Sequence, residues 1–263
     1  MSIKKVLTST LITILFLIAL LAGIVAALAY YGSLPEEEKV TLNTSDWIVE
    51  SALNTPLNMP DVNVDYKELP SQYTIDVECI LQNPELPSGC EVTSLAILLN
   101  HLGIEADKTI LAADYLEKAS AGTSSMYDAF IGTPDSKSGY GCYAPVIVRC
   151  ALNYLSDKNI TGYKIYNLTG SEFDNLLYEI AEGNPVIVWS TISLAKPYSS
   201  SNWNLGDEIV QWFANEHCVV LTGYNLEENI VYVSDPLHGN VTYDMELFKT
   251  RYNDMFRQAI CIY

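Results

Sequence analysis

Apolar positions in this chain change their spacing partway along, from a helical period to near-continuous strand-like runs. In LPSGCEVTSLAILLNHLG, residues 86–103, Val92, Leu95, Ala96, Leu99 and Leu102 form one stripe at helical spacing that stops at Gly103. Ser88 and Glu91 have the spacing of a capping box, which puts Cys90 at the second helical position. Pro145 opens a second predicted helix, to about Leu155, and Ser171 caps a third that ends at Gly183. The pattern then turns to strands. VIVWSTI (186–192), HCVVLTGY (217–224) and IVYVSD (230–235) read as strands, the last two joined as a hairpin through Asn225 to Asn229, and RQAICIY follows a short helix near Met245 to Tyr252. This order predicts an α+β domain, with helices segregated from a mostly antiparallel sheet and the Cys90 helix packed on it.

The pattern upstream is different. Between Lys5 and Glu36 there is no charge, and Leu11 to Tyr31 is apolar apart from Thr13, long enough to cross a bilayer. Lys4 and Lys5 before the run, with Glu36 to Glu38 after it, place the N-terminus inside and the rest outside. Ala27-Leu28-Ala29 also has the form of a signal-peptide site that would leave Tyr30 as the new terminus. Either reading exports the remainder. Residues 1–32 are thus an anchor or signal segment. Residues 33–70, with scattered Pro, Asn, Asp and Glu and no periodicity, read as an acidic linker, and residues 71–263 as one packed domain.

Composition narrows the partners. The net charge of −18 includes Lys4 and Lys5, so the exported part carries 12 basic against 32 acidic residues, or −20. Nucleic acid is therefore excluded as a partner class. Of six cysteines, none shows a Cys-x-x-Cys spacing, which argues against zinc, and Cys218 and Cys261 lie in apolar strand runs as core residues. If Cys90 stays free, the other five allow at most two disulfides.

A cysteine in the first turn of a helix faces unpaired backbone N–H groups and the positive end of the helix dipole, which favour thiolate. The alternative is a small buried apolar Cys beside a cap. Of three histidines, His101 lies on the order of 15 Å along the same helix and cannot be a base for Cys90. His217 begins a strand, and the hairpin returns Asp235 to the same end, so that a carboxylate can orient an imidazole. His238 is the other candidate. Taken singly, His217 also fits a half-buried strand end and Asp235 a Ser-Asp-Pro turn.

LPSGCEVTSLAILLNHLG, FIGTPDSKSGYGCYAPVI, and NEHCVVLTGYN followed by VYVSDPLHG together resemble the papain-like cysteine peptidases of the bacteriocin-processing, double-glycine-leader type, in particular their stand-alone exported relatives. The resemblance spans about residues 72 to 263. It implies a papain-like fold, with Cys90 as nucleophile, His217 as general base, Asp235 as orienter and Gln82, in LQNPELPSGC, as the oxyanion-hole glutamine. Three features depart from it. No transporter segment is present, Glu91 opposes a thiolate beside it, and Phe130 to Tyr143 has no assignable chemistry beyond a loop beside the groove or simple packing. The expected activity is hydrolysis of a peptide amide through an acyl-enzyme, on a peptide or protein that includes cell-wall peptide, without metal or organic cofactor. The alternatives are a cell-wall amidase or acyl transferase on the same triad, and an inactive papain-like module that binds a surface ligand.

Overall fold

The computed structural model describes residues 69–263, apart from Asp207 and the side chains of Ser200, Ser201 and Glu208. The apolar run Leu11 to Tyr31, and with it the anchor and signal-peptide readings, lies outside the described residues. Among the described residues, no helix is long and apolar enough to cross a membrane.

Four main helices form: α1 (Cys90–His101), α2 (Ala144–Asp157), α3 (Phe173–Ala181) and α4 (Met245–Asp254). Their starts follow local chemistry. Pro145 stands in the first turn of α2, where no N–H is needed, and the Asp244 carboxylate accepts the Leu247 N–H to cap α4. The predicted cap at Ser171 is not used; α3 starts from Glu172 without a side-chain cap. A further turn at Lys108–Ile110, capped by Asp107 and continuing into a π-helical turn at Leu111–Tyr115, had no clear signal in the apolar spacing.

The strands are β1 (Gln72–Thr74), β2 (Lys118–Ala119), β3 (Phe130–Ile131), β4 (Ile165–Asn167), β5 (Val186–Thr191), β6 (Ser199–Leu205), β7 (Glu208–Phe213), β8 (Glu216–Asn225), β9 (Ile230–Asp235), β10 (Gly239–Asp244) and β11 (Ala259–Ile262). The central sheet runs in the order β10-β9-β8-β5-β11-β4, with β1 added on the C-terminal part of β8, and every pairing in it is antiparallel. The α+β class and the antiparallel sheet are as the sequence implies.

The helices are not segregated to one side, however. Ile187 and Trp189 of β5, Cys218 and Val220 of β8, and Ile260 and Ile262 of β11 pack in one core with α1 and α2. Val186, Val188, Val219, Leu221, Ala259 and Cys261, the alternate positions, pack in a second core with α3 and α4. A sheet covered on both faces needs apolar residues at consecutive positions, which is why these strands read as continuous runs rather than alternations. Helix α1 is itself buried from Cys90 through Leu99, so the single-stripe reading was too narrow. The Ser94 hydroxyl ties it to β8 by donating to the Cys218 carbonyl at 3.1 Å.

Register shifts in β8 between Leu221 and Gly223, where β1 joins. A Cβ at Gly223 would lie 2.7 Å from the Tyr73 carbonyl oxygen and 2.9 Å from the Tyr232 ring. We expect Gly223→Ala to lower the unfolding free energy by about 1–3 kcal/mol, as overpacking does. Urea denaturation measures this, and an unchanged midpoint would mean that β1 is not tightly held.

Candidate active site

Helix α1 begins at Cys90 itself, one position earlier in the helix than expected, after Gly89 as N-cap and with no side-chain cap. The capping box does not form. Instead the Ser88 hydroxyl lies 2.8 Å from the Ser136 carbonyl oxygen and 3.2 Å from that of Thr133. The loop from Phe130 to Tyr143 draws it there by close approach: a Cβ at Gly139 would fall 2.2 Å from the Ser88 oxygen. That loop, which has no assignable chemistry in the residues alone, forms one wall of the site. Released from capping, Glu91 turns inward. Its Oε1 accepts the Cys142 backbone N–H at 2.8 Å, and its Oε2 accepts the Cys90 thiol at 3.4 Å. The Trp189 indole N–H holds the Cys142 carbonyl at 2.8 Å.

The sulfur faces acids. Polar atoms of Cys90, Glu91 and Glu216 all lie within 4.8 Å of one another, and all three residues are buried. The Cys218 backbone N–H also faces the thiol. Burial first, then Glu91 and Glu216, push the Cys90 thiol well above its ordinary range, which corrects the expectation of a prepared thiolate. Burial likewise raises Glu91 to about 7 and Glu216 well above the usual carboxylate range, the latter aided by Glu91. Sequence reasoning missed Glu216. Strand alternation carried the signal, because Glu216 has the same parity as Cys218 and Val220, which pack under α1.

His217 and Asp235 come together. The His217 Nε2 lies 2.7 Å from the Asp235 Oδ1, both side chains buried. The same carboxylate accepts the Leu237 N–H at 2.7 Å, and its Oδ2 meets His238 Nδ1 at 3.0 Å and the Tyr243 hydroxyl at 3.1 Å. Burial alone would raise its pKa; the bond and charge of His217, then His238 and Leu237, outweigh burial and hold it well below the usual carboxylate range. Among the described residues, His217 Nδ1 makes no hydrogen bond, and none joins the Cys90 sulfur to His217 or His238. His101 ends α1, away from the sulfur.

Gln82 connects the two groups. It is buried, its Nε2 donates to the Pro87 carbonyl at 3.0 Å in the turn before Cys90, and its backbone N–H donates to Pro236, next to Asp235, at 2.8 Å. The Lys108 ammonium binds the carbonyls of Leu81 and Gln82 and pairs with Glu85 at 2.8 Å, fixing the segment from the other side. Gln82 Oε1 is buried without a partner among the described residues.

A family model, the Peptidase_C39 like family, matches residues 74–260, which includes every residue of this site. The chain belongs to the Peptidase_C39-like family. This C39-like chain is 30% identical over 184 residues to the uncharacterized protein YvpB of Bacillus subtilis strain 168, covering 68% of this chain and 70% of that one. A crystal structure assigned as a C39-like peptidase from Bacillus anthracis superposes with a TM-score of 0.65 at 32% identity, over 73% of this chain and 97% of that one. A double glycine motif protease from a transporter, solved with its leader peptide, is more distant, with a TM-score of 0.40 at 19% identity over 72% of this chain and 91% of that one. The C39-like fold and a peptidase family are thereby established for residues that the sequence resemblance had singled out.

The raised Glu91 pKa makes a stability prediction. A carboxyl whose folded-state pKa lies above its unfolded value of 4.5 contributes fully below that value and loses the contribution as pH rises through about 7. We expect stability to fall across this window by on the order of 3 kcal/mol, and Glu91→Gln to flatten the fall. Asp235 has the opposite sign: its stabilisation is present above its unfolded pKa and is lost only at lower pH. Urea unfolding at a series of pH values separates the two, and an unchanged slope in Glu91→Gln would contradict the first.

Proposed function

We propose that this chain is a thiol peptidase that hydrolyses a peptide amide bond, with Cys90 as nucleophile, His217 as general base and then acid, and Asp235 as the residue that orients His217. The observation that carries this reading is the buried His217–Asp235 pair, joined through Nε2 so that Nδ1 stays available, in the same domain as a cysteine at a helix start. The reaction requires the Cys90 side chain to leave Glu91 and bring its thiol to His217 Nδ1. Attack on the carbonyl gives an acyl-enzyme and an oxyanion, for which the Cys90 backbone N–H and the Gln82 amide are the donors. His217 protonates the departing amine and then activates water. Membership in a peptidase family supports peptide as the substrate class, with cell-wall peptide within it; a cell-wall amidase or acyl transferase uses the same groups with another acceptor.

The uncharged run from Leu11 to Tyr31, with Lys4 and Lys5 before it, supports export of the acidic domain, held at the membrane or released with Tyr30 as the new terminus. A second reading rests on the raised Cys90 thiol and the lack of a hydrogen bond from it to His217: an inactive module that binds peptide without cleaving it.

Hydrolysis of a peptide library by the purified chain tests the two. Cys90→Ala should abolish cleavage while the thermal transition stays in place, and Gln82→Ala should cut kcat by about 100- to 1,000-fold. Cleavage that survives Cys90→Ala would overturn the assignment, and peptide binding without cleavage in both wild type and variant would establish the binding module. For export, protease added to intact cells should remove the domain, and its protection would reverse the proposed orientation.

A further inference from the structure

The Cys90 thiol has an acceptor other than a base. It donates to Glu91 Oε2 at 3.4 Å, and Glu216, on the adjacent strand, completes a group of polar atoms within 4.8 Å. Both acids are buried, and Glu216 Oε1 has no hydrogen-bond partner among the described residues. The loop is shaped around them: Gly141, at φ +121°, leaves room where a Cβ would stand 2.7 Å from an oxygen of each carboxyl. We propose that Glu91 and Glu216 are positioning residues for the nucleophile, Glu91 as an ionisable clamp that holds the resting thiol off His217 and Glu216 as a neutral acid beside it, so that the site is released as the pH falls. The inference rests on the assignment of Cys90 as nucleophile.

The groups facing the pair are Cys90 on α1, Cys142 and Tyr143 ahead of α2, and Cys218 on β8; none brings a positive charge. No Lys or Arg among the described residues forms an ion pair with either acid. Above neutrality Glu91 is a carboxylate, accepts the S–H and opposes a thiolate beside it. As the pH falls through about 7, Glu91 takes a proton from solvent and loses the charge that holds the S–H; burial still opposes a thiolate inside the cluster, so the freed side chain must leave it for His217 Nδ1, where the thiol proton passes to give thiolate and imidazolium. Such a site gains thiolate on acidification. An ordinary thiol loses about tenfold in thiolate for each unit of pH.

The test is the pH profile of Cys90 in the full-length protein between pH 8 and 5.5. It is read by ultraviolet thiolate absorbance against Cys90→Ala and by iodoacetamide labelling mapped to Cys90 by mass spectrometry. Wild type should gain thiolate as pH falls from 8 to 6. Glu91→Gln, whose amide oxygen still accepts the Cys142 N–H, should be labelled about tenfold or more faster than wild type at pH 8 and show no gain on acidification. Glu216→Gln, which imitates the protonated acid, should keep the wild-type profile. A wild-type profile like that of an ordinary thiol overturns the proposal, as does a Glu91→Gln profile that superimposes on wild type. A Glu216→Gln variant that loses the gain as fully as Glu91→Gln overturns the role given to Glu216. These readouts need no substrate, so failure of peptide cleavage with the thiol profile intact rejects the peptidase reading alone.

Discussion

Everything at the site depends on where the first turn of α1 is placed: inside, between β8 and a glycine-rich loop, with its first ten residues removed from water. A helix start normally leaves its N–H groups to solvent or to a capping side chain. Here Ser88 is taken by loop carbonyls, Glu91 is turned inward, and the loop's Cys142 N–H is satisfied by Glu91. Desolvation then sets the chemistry, because it favours the neutral form of each acid and of the thiol more strongly than the helix dipole favours charge.

The second cluster is built on the opposite principle. Asp235 is equally buried yet stays charged, since four donors converge on its two oxygens. Two carboxyl environments therefore sit in one small domain, one with four donors, two of them imidazoles, and one in which Glu91 has a single backbone N–H and a weakly donating thiol. Gln82 spans them, bonded through its side chain to the turn before Cys90 and through its backbone to Pro236. It couples the position of α1 to the end of β9.

Much of this was legible in the residues. Strands β5 and β8 were found because burial on both faces makes their apolar runs nearly continuous; β9, read at its observed limits, instead alternates half-buried and buried positions before Ser234 and Asp235. The edge strand β10 was missed because GNVTYD is half exposed with few apolar side chains, and the β6–β7 hairpin because SSSNWNL has no alternation to detect. The meeting of His217 with Asp235 followed from hairpin geometry. The inward turn of Glu91 did not, because a Ser-x-x-Glu spacing says nothing about a loop that arrives some 50 residues later to claim the serine. Glu216 was hidden for a related reason: beside a candidate histidine, its own parity on the strand was not followed.

The place of β11 has a consequence for when this domain can exist at all. Residues Ala259–Ile262 lie between β5 and β4 and fill both apolar layers, so before they arrive the sheet is split and two inner edges are bare. Among the described elements they are the last to leave the ribosome. A nascent chain therefore carries Cys90, His217 and Asp235 before the strand that joins β4 to β5 is available to pair, and the two apolar layers it fills close only when it arrives.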